Sequence, residues 1–271
     1  MNEATIGTLS QLNAAPRERV DVDVNINAIT LEQPWEWLRK GWADLRRAPV
    51  FSLTYGAVFV AVSLLMTLGL LADGLFFIVP VLAAGFFLVA PMLGIGLYQI
   101  SANLEAGAPV HFCQVREAWR RNAVQLAAMA LVLVFMMLVW MLAAILVFAL
   151  FFDNPVPTWE RFIPTVFLSG ENNTFVLAGV LVGGVIAVFT FAISAVTVPM
   201  LMDRPAVDVM TAMRTSVAAV RRNWQPMGLW AALIVLFVGL GILTWFIGLL
   251  IAMPLVGHGT WHAYRDLVAR D

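Results

Sequence analysis

The sequence predicts an all-α membrane protein: six transmembrane helices arranged as three tandem hairpins, with cytoplasmic amphipathic helices between them. Three observations predict it. Of the 271 residues, 61% are hydrophobic and only 12% are charged, about half the ~25% of an average soluble domain, so the chain cannot supply the charged surface of a soluble globule. Charge-free runs long enough to cross a bilayer recur along it. An arginine pair stands just before every second run: Arg46-Arg47, Arg120-Arg121 and Arg221-Arg222.

The elements follow in order. Residues 1–30 form a polar N-terminal tail. It lacks a basic stretch followed by an apolar run, so no cleaved signal peptide is expected and the first span must direct insertion. Within the tail Val20, Val22, Val24 and Ile26 alternate with Asp21, Asp23, Asn25 and Asn27. That is the period-two pattern of a short edge strand or extended segment, or of a strand that pairs with a partner chain. Residues 31–48 change period: Trp35, Leu38, Trp42 and Leu45 share a helical face beside basic residues, which suits a helix lying in the headgroup region.

Residues 49–271 make the six-span membrane domain, with spans at about 50–72, 75–99, 123–152, 174–202, 225–241 and 243–264. Asp73-Gly74 turns the first hairpin, and the proline-rich stretch 153–173 reads as a loop. From Asn223 to His262 no Asp, Glu, Lys or Arg occurs. As one helix this run is close to twice the ~30 Å hydrocarbon thickness at ~1.5 Å per residue, so it divides in two, with a tight turn near Gly239-Leu240-Gly241. Six spans place fifteen of the 16 Lys and Arg on one side, Arg161 alone on the other. The positive-inside rule makes that side, and both termini, cytoplasmic.

Each even-numbered span carries a late proline: Pro91, Pro199 and Pro254. Proline releases the carbonyl four residues back, so kinks are expected near Phe87, Ala195 and Leu250. Amphipathic stretches precede the second and third arginine pairs, with Phe112, Val115 and Trp119 on one face and Val209, Met213, Val217 and Val220 on another. Surface helix, arginine pair, hairpin and proline form a unit repeated three times.

Several strings carry a family resemblance. They are Pro34-Trp35-Glu36-Trp37-Leu38, Gly41-Trp42-Ala43-Asp44-Leu45, Ala90-Pro91-Met92-Leu93-Gly94-Ile95-Gly96-Leu97-Tyr98, Ala118-Trp119-Arg120-Arg121-Asn122 and Pro254-Leu255-Val256-Gly257-His258-Gly259-Thr260-Trp261-His262-Ala263-Tyr264-Arg265-Asp266-Leu267. In these the chain resembles an uncharacterised bacterial family of predicted integral membrane proteins, domain of unknown function 2189. The resemblance implies a bacterial inner-membrane protein of several spans and brings no catalytic residues.

The residues themselves point away from catalysis. No phosphate-binding loop, nucleophile elbow, zinc-protease motif or cysteine pair occurs, Cys113 being the single cysteine. Net charge is −1, so no basic field points to nucleic acid. Mid-span polarity is limited to hydroxyls such as Ser63, Thr67, Thr190, Ser194, Thr197 and Thr244, while Asp73 and Asp203 sit at span ends. That argues against proton-coupled transport. Gly179, Gly183 and Ala187 form a small-residue face suited to helix packing within the chain, or with a membrane-protein partner or second copy. Trp35, Trp42, Trp119, Trp224 and Trp261, with the three arginine pairs, are the expected interfacial anchors and contacts to membrane lipids. His258 and His262 share a helical face, and His111 lies in a connection on the same side. Bonding to backbone or headgroups is the expected role, with no cofactor; a transition metal held by the three imidazoles, a haem with one of them as axial ligand, or a proton-handling role is the alternative. The reading is a non-enzymatic scaffold, assembly or lipid- and partner-binding protein. A transporter of an apolar or amphipathic molecule and a metal- or haem-binding respiratory accessory stay open.

Overall fold

The computed structural model describes residues 25–111, 113–152, 157–158, 161–162 and 164–269. Val20, Val22, Val24 and Phe112 lie outside the described residues, and so do the sequence expectations that rest on them. The described part is helical, and we number its helices α1 to α11. Five stretches are long and apolar enough to cross a membrane: Pro49–Ala72, Phe76–Glu105, Ala123–Phe151, Asn173–Asp203 and Trp224–Leu243.

α1 (Gln33–Arg47) starts on Pro34, whose missing N–H is unneeded in a first turn, and ends on Arg46 and Arg47, which complement the negative end of the helix dipole. Its buried face differs from the expected one. Leu38 and Leu45 are buried, but Trp35 and Trp42 are exposed, and Trp37, Gly41 and Asp44 turn inward instead. The reason is the partner: α1 packs along the last helix, α11 (Leu249–Leu267), with Gly41 at the closest approach.

Three corners are built alike. Ala48 joins α1 to α2 (Pro49–Ala72) at φ −126°, ψ 56°. Asn122 joins α5 (Cys113–Arg121) to α6 (Ala123–Phe151) at φ −142°, ψ 45°. Asn223 joins α9 (Val209–Arg222) to α10 (Trp224–Leu243) at φ −118°, ψ 41°. Each follows an arginine pair, and each corner residue is buried. One non-helical residue thus turns a shorter helix directly into a stretch long and apolar enough to cross a membrane. Where that residue is asparagine, its amide works: Asn122 Nδ2 donates to the carbonyls of Leu201 (3.1 Å) and Val207 (3.3 Å).

Two of the five stretches are broken. α3 (Val79–Leu93) gives way at Gly94 to α4 (Ile95–Glu105), and α7 (Asn173–Ser194) gives way at Ala195 and Val196 to α8 (Thr197–Asp203). The second break falls where the proline rule places it. The first comes later than Phe87, because α3 continues past Pro91 and hydroxyls take up the freed groups around Gly94. Tyr98 donates to the Pro91 carbonyl at 3.1 Å, and Tyr55 donates to the Leu93 carbonyl at 2.7 Å while accepting from the Gly96 N–H at 3.3 Å. Ser216 repeats the device at the second break, donating to the Ala192 carbonyl (2.8 Å) and accepting from the Val196 N–H (3.3 Å). Backbone groups freed inside a membrane must find such partners.

The last turn also departs from expectation. Gly239 and Gly241 lie inside α10, and the chain reverses at 244–248, with Trp245 (φ 55°) and Phe246 (φ 65°) in the left-handed region. Thr244 holds the turn by accepting from the Gly248 N–H and donating to the carbonyls of Leu240 and Gly241. Gly241 serves close packing: a Cβ there would sit 2.7 Å from the Leu249 side chain.

α11 is not among the five apolar stretches, and its surroundings explain why. Thirteen of its 19 residues are buried, whereas only 11–33% of the most apolar window of each of the five is. A helix sheathed in protein needs no lipid-compatible surface. At its end Val268 bridges antiparallel to Ile26, flanked by Asn27 N–H to the Leu267 carbonyl (2.9 Å) and Ala269 N–H to the Asn25 carbonyl (3.0 Å). The described end of the alternating segment therefore pairs within the chain. Asn223 joins the same place, accepting from the Ile29 N–H and donating to the Asn27 carbonyl, both at 2.9 Å. The start of α10 and the end of α11 thus both bond to the segment 25–29.

Candidate functional site

One cluster of buried polar groups lies where α1, α2, α4 and α11 meet. His258 of α11 is fully buried, between Ser52 of α2 and Ser101 of α4, which are equally buried. Ser52 Oγ lies 2.9 Å from Nε2, and Ser101 Oγ lies 2.8 Å from Nδ1. The Asp44 carboxylate of α1 lies beside Ser101 and 2.8 Å from His262 Nε2. A neutral imidazole has one ring N–H and one acceptor nitrogen, so one of the two serines accepts from His258 and the other donates to it.

Asp44 anchors this chain of bonds. Burial works to raise its carboxyl, but the His262 imidazole bonded to it and the Ser101 hydroxyl beside it outweigh that, and it stays below its ordinary value. A depressed carboxylate contributes stability that is complete above the unfolded value of about 3.9 and is lost as pH falls through the folded value. Thermal melts in detergent are therefore expected to show an acid limb below about pH 4 that Asp44→Asn flattens. Parallel limbs for the two proteins would show that Asp44 does not link folding to pH.

An outer ring of polar contacts surrounds the end of α11. Trp37 Nε1 donates to Asp266 (2.8 Å), which Lys40 also approaches at 3.4 Å. Trp261 Nε1 donates to Glu105 (3.0 Å), and Arg265 bridges Glu105 (3.3 Å) and Asp203 (3.2 Å). The Tyr264 hydroxyl donates to Asp203 at 2.7 Å, and Arg204 donates to the Ala269 carbonyl. α11 is thereby stapled to α1, α4 and α8. Its chemistry is that of a clasp, with hydroxyls, imidazoles and carboxylates satisfying one another.

The residues singled out from sequence fall as follows. His258 and His262 both engage this clasp. His111 lies exposed in the connection between α4 and α5, its backbone N–H donating to Gln114 Oε1 at 2.9 Å. Among the described residues no group of three His, Cys, Asp or Glu could hold a metal ion. Trp119 and Trp224 are exposed like Trp35 and Trp42, whereas Trp261 is buried in the clasp. Arg46, Arg47, Arg120, Arg121, Arg221 and Arg222 are all exposed, and none forms an ion pair among the described residues. Of the small-residue face on α7, Gly183 receives the Trp140 ring of α6, while the space beside Gly179 is open and Ala187 is exposed. Trp140 also donates to the Val81 carbonyl (2.8 Å) and covers Gly85, so it wedges α6 against α3.

Sequence reasoning missed Asp44, Ser52 and Ser101 as partners of the histidines. The one available signal was Trp37, Gly41 and Asp44 at helical spacing, a face whose small and charged members an apolar count ignores.

The region from the start of the second apolar stretch to the end of α8 carries the family signal. Residues 78–203 match DUF2189, the family described as predicted integral membrane protein. The chain is thus an integral membrane protein with several apolar helices. No curated protein matches it, and no solved structure does. The DUF2189 region holds both broken stretches and Ser101, while Asp44, Ser52, His258 and His262 lie outside it.

Proposed function

We propose that this protein is a non-enzymatic membrane scaffold of six spans in three tandem hairpins, with both termini cytoplasmic in a bacterial inner membrane, whose basic face holds anionic lipid. One observation carries the reading: three corners of one backbone geometry, each preceded by an exposed arginine pair without an ion partner among the described residues. Corners that open into spans lie at headgroup level, where each basic residue contributes about 1 kcal/mol toward anionic lipid. Six arginines give the face a substantial preference and leave the apolar sides of α6 and α7 for lipid or a membrane partner.

The sixth span in this reading is α11. Its 19 residues reach roughly 28 Å at ~1.5 Å each, close to the hydrocarbon thickness. Its polar side chains bond to protein, and its end bonds to the same segment, 25–29, as the corner where α10 begins. A reporter active only outside the cytoplasm is expected to stay silent at the C-terminus and to work when fused near Arg161. Activity at the C-terminus would reduce the spans to five and break the third unit.

The engaged nitrogens of His258 and His262 support a protein without resident haem or metal. Purified in mild detergent, the protein is expected to be colourless and enriched in anionic phospholipid over the surrounding membrane. Replacing all three arginine pairs by glutamine is expected to remove the enrichment. Lipid that mirrors the bulk membrane in both proteins would overturn the lipid-holding reading, and stoichiometric metal would overturn the cofactor-free one.

A further inference from the structure

α9 is bound to the break in the second broken stretch through its small residues. Ala212, Ser216 and Ala219 are buried, Ser216 bonds the Ala192 carbonyl, and Thr197 Oγ1 lies 3.3 Å from the Ala212 carbonyl. Close approach on that face leaves a groove beside it. Ile193 of α7 and Met210, Met213 and Val217 of α9 line a cavity of about 340 Å³, and Arg214 and Arg221 stand at its edge. The two arginines are seven residues apart, two turns or roughly 10 Å along the helix, with Val217 and Ala218 of the lining between them. Both are exposed, and neither has an ion partner among the described residues.

The groove also continues a membrane-facing stripe. Val185, Phe189 and Ile193 follow one another every four residues on α7, which puts them on one face. Val185 is 72% and Phe189 55% exposed, while Ile193 is buried where the stripe enters the groove. An apolar stripe on α7 thus leads to a groove edged by two guanidinium groups.

Resting on the lipid-holding reading above, we infer that this groove is a discrete site for one anionic phospholipid. Its acyl chain lies along Phe189 and Ile193 and against Met213 and Val217. Its phosphate is held by Arg214 and Arg221, whose planar forks match phosphate oxygens. The charge and the apolar lining are both needed, so the occupant is a lipid rather than a free phosphate.

Native mass spectrometry of the full chain, titrated with phosphatidylglycerol, phosphatidylcholine or inorganic phosphate, tests it. The wild type is expected to bind one phosphatidylglycerol well ahead of phosphatidylcholine. Arg214→Gln with Arg221→Gln is expected to weaken that first binding about 30-fold, roughly fivefold for each basic residue. Val217→Gln, which keeps both arginines, is expected to weaken it at least about fivefold. Arg46→Gln with Arg47→Gln is expected to leave the first binding within about twofold and to thin the later ones. Equal loss from the Arg46/Arg47 and groove pairs would overturn the discrete site while leaving a generally basic face. No loss from either would overturn both readings. Inorganic phosphate that displaces the lipid, or an indifferent Val217→Gln, would overturn the acyl-chain contact and with it the assignment to a lipid.

Discussion

Gly56→Val is expected to unseat α2 from α11 and to destabilise the protein by at least ~3 kcal/mol, the upper end of the usual overpacking cost. A Cβ at Gly56 would lie 2.3 Å from the Leu250 carbonyl oxygen and 2.9 Å from its carbon, both backbone atoms that no rotamer change can move away. Gly41 meets the same helix one contact further on, where a Cβ would lie 2.7 Å from the Leu255 carbonyl oxygen and 2.9 Å from the Gly259 nitrogen. Two helices thus use one glycine each to reach the α11 backbone, and in lipid such close contact is what drives helix association. Gly41→Val is expected to match Gly56→Val, because the contacted atoms are again backbone. Gly69 is the internal control: it lies in the same helix as Gly56, and nothing comes within 4 Å of its Cβ position. Gly69→Val is expected to stay within about 0.5 kcal/mol of the wild type, like most substitutions away from packed positions. Thermal unfolding of the four proteins in one detergent checks the order. Gly56→Val melting with the wild type would mean that α2 and α11 stand further apart than this packing requires.

The parts of the fold that could be read from sequence are those that lipid enforces. Hydrocarbon excludes charge, so the stretches Pro49–Ala72, Ala123–Phe151 and Asn173–Asp203 begin and end within a residue or so of where the charge-free runs do. The second stretch runs on to Glu105 rather than stopping near residue 99, because Tyr98 and Tyr55 bridge the break at Gly94 and let α4 continue the path. α11 escapes a hydropathy reading because protein encloses it, so His258, Thr260 and His262 cost nothing in lipid. The clasp was out of reach for another reason. Ser52 and His258 are 206 residues apart, and Ser101 and His258 are 157 apart. Nothing local distinguishes those serines from hydroxyls that bond their own helix. The outward turn of Trp35 and Trp42 has a similar origin, since steric room decides which side of α1 can approach α11, and room comes from Gly41. The arginine pairs were legible as charges, but their likeness as corners appears only in the dihedral angles of Ala48, Asn122 and Asn223.

His258→Ala is expected to cost ~3–5 kcal/mol, because it combines a cavity with broken buried hydrogen bonds. The imidazole is fully buried, both its nitrogens are engaged, and the serines that engage them are themselves inaccessible to water. Its loss takes from each serine the ring nitrogen it faces. Ser52 must then turn back to the Ala48 carbonyl one turn earlier, a weaker arrangement. His258→Leu refills most of the volume and leaves only the polar part of the cost. In that background Ser52→Ala is expected to be neutral or to recover about 1 kcal/mol, whereas in the wild type the same substitution is expected to cost about 1–2 kcal/mol. The sign change is the test, because a cavity alone cannot produce it: a double-mutant cycle over Ser52 and His258 isolates the pair. Chemical or thermal unfolding in a single detergent reads all four corners of that cycle. Additive effects of Ser52→Ala and His258→Leu would show that the hydroxyl and the imidazole do not depend on each other. The clasp would then reduce to its outer ring of Trp37, Glu105, Asp203, Arg265 and Asp266 contacts.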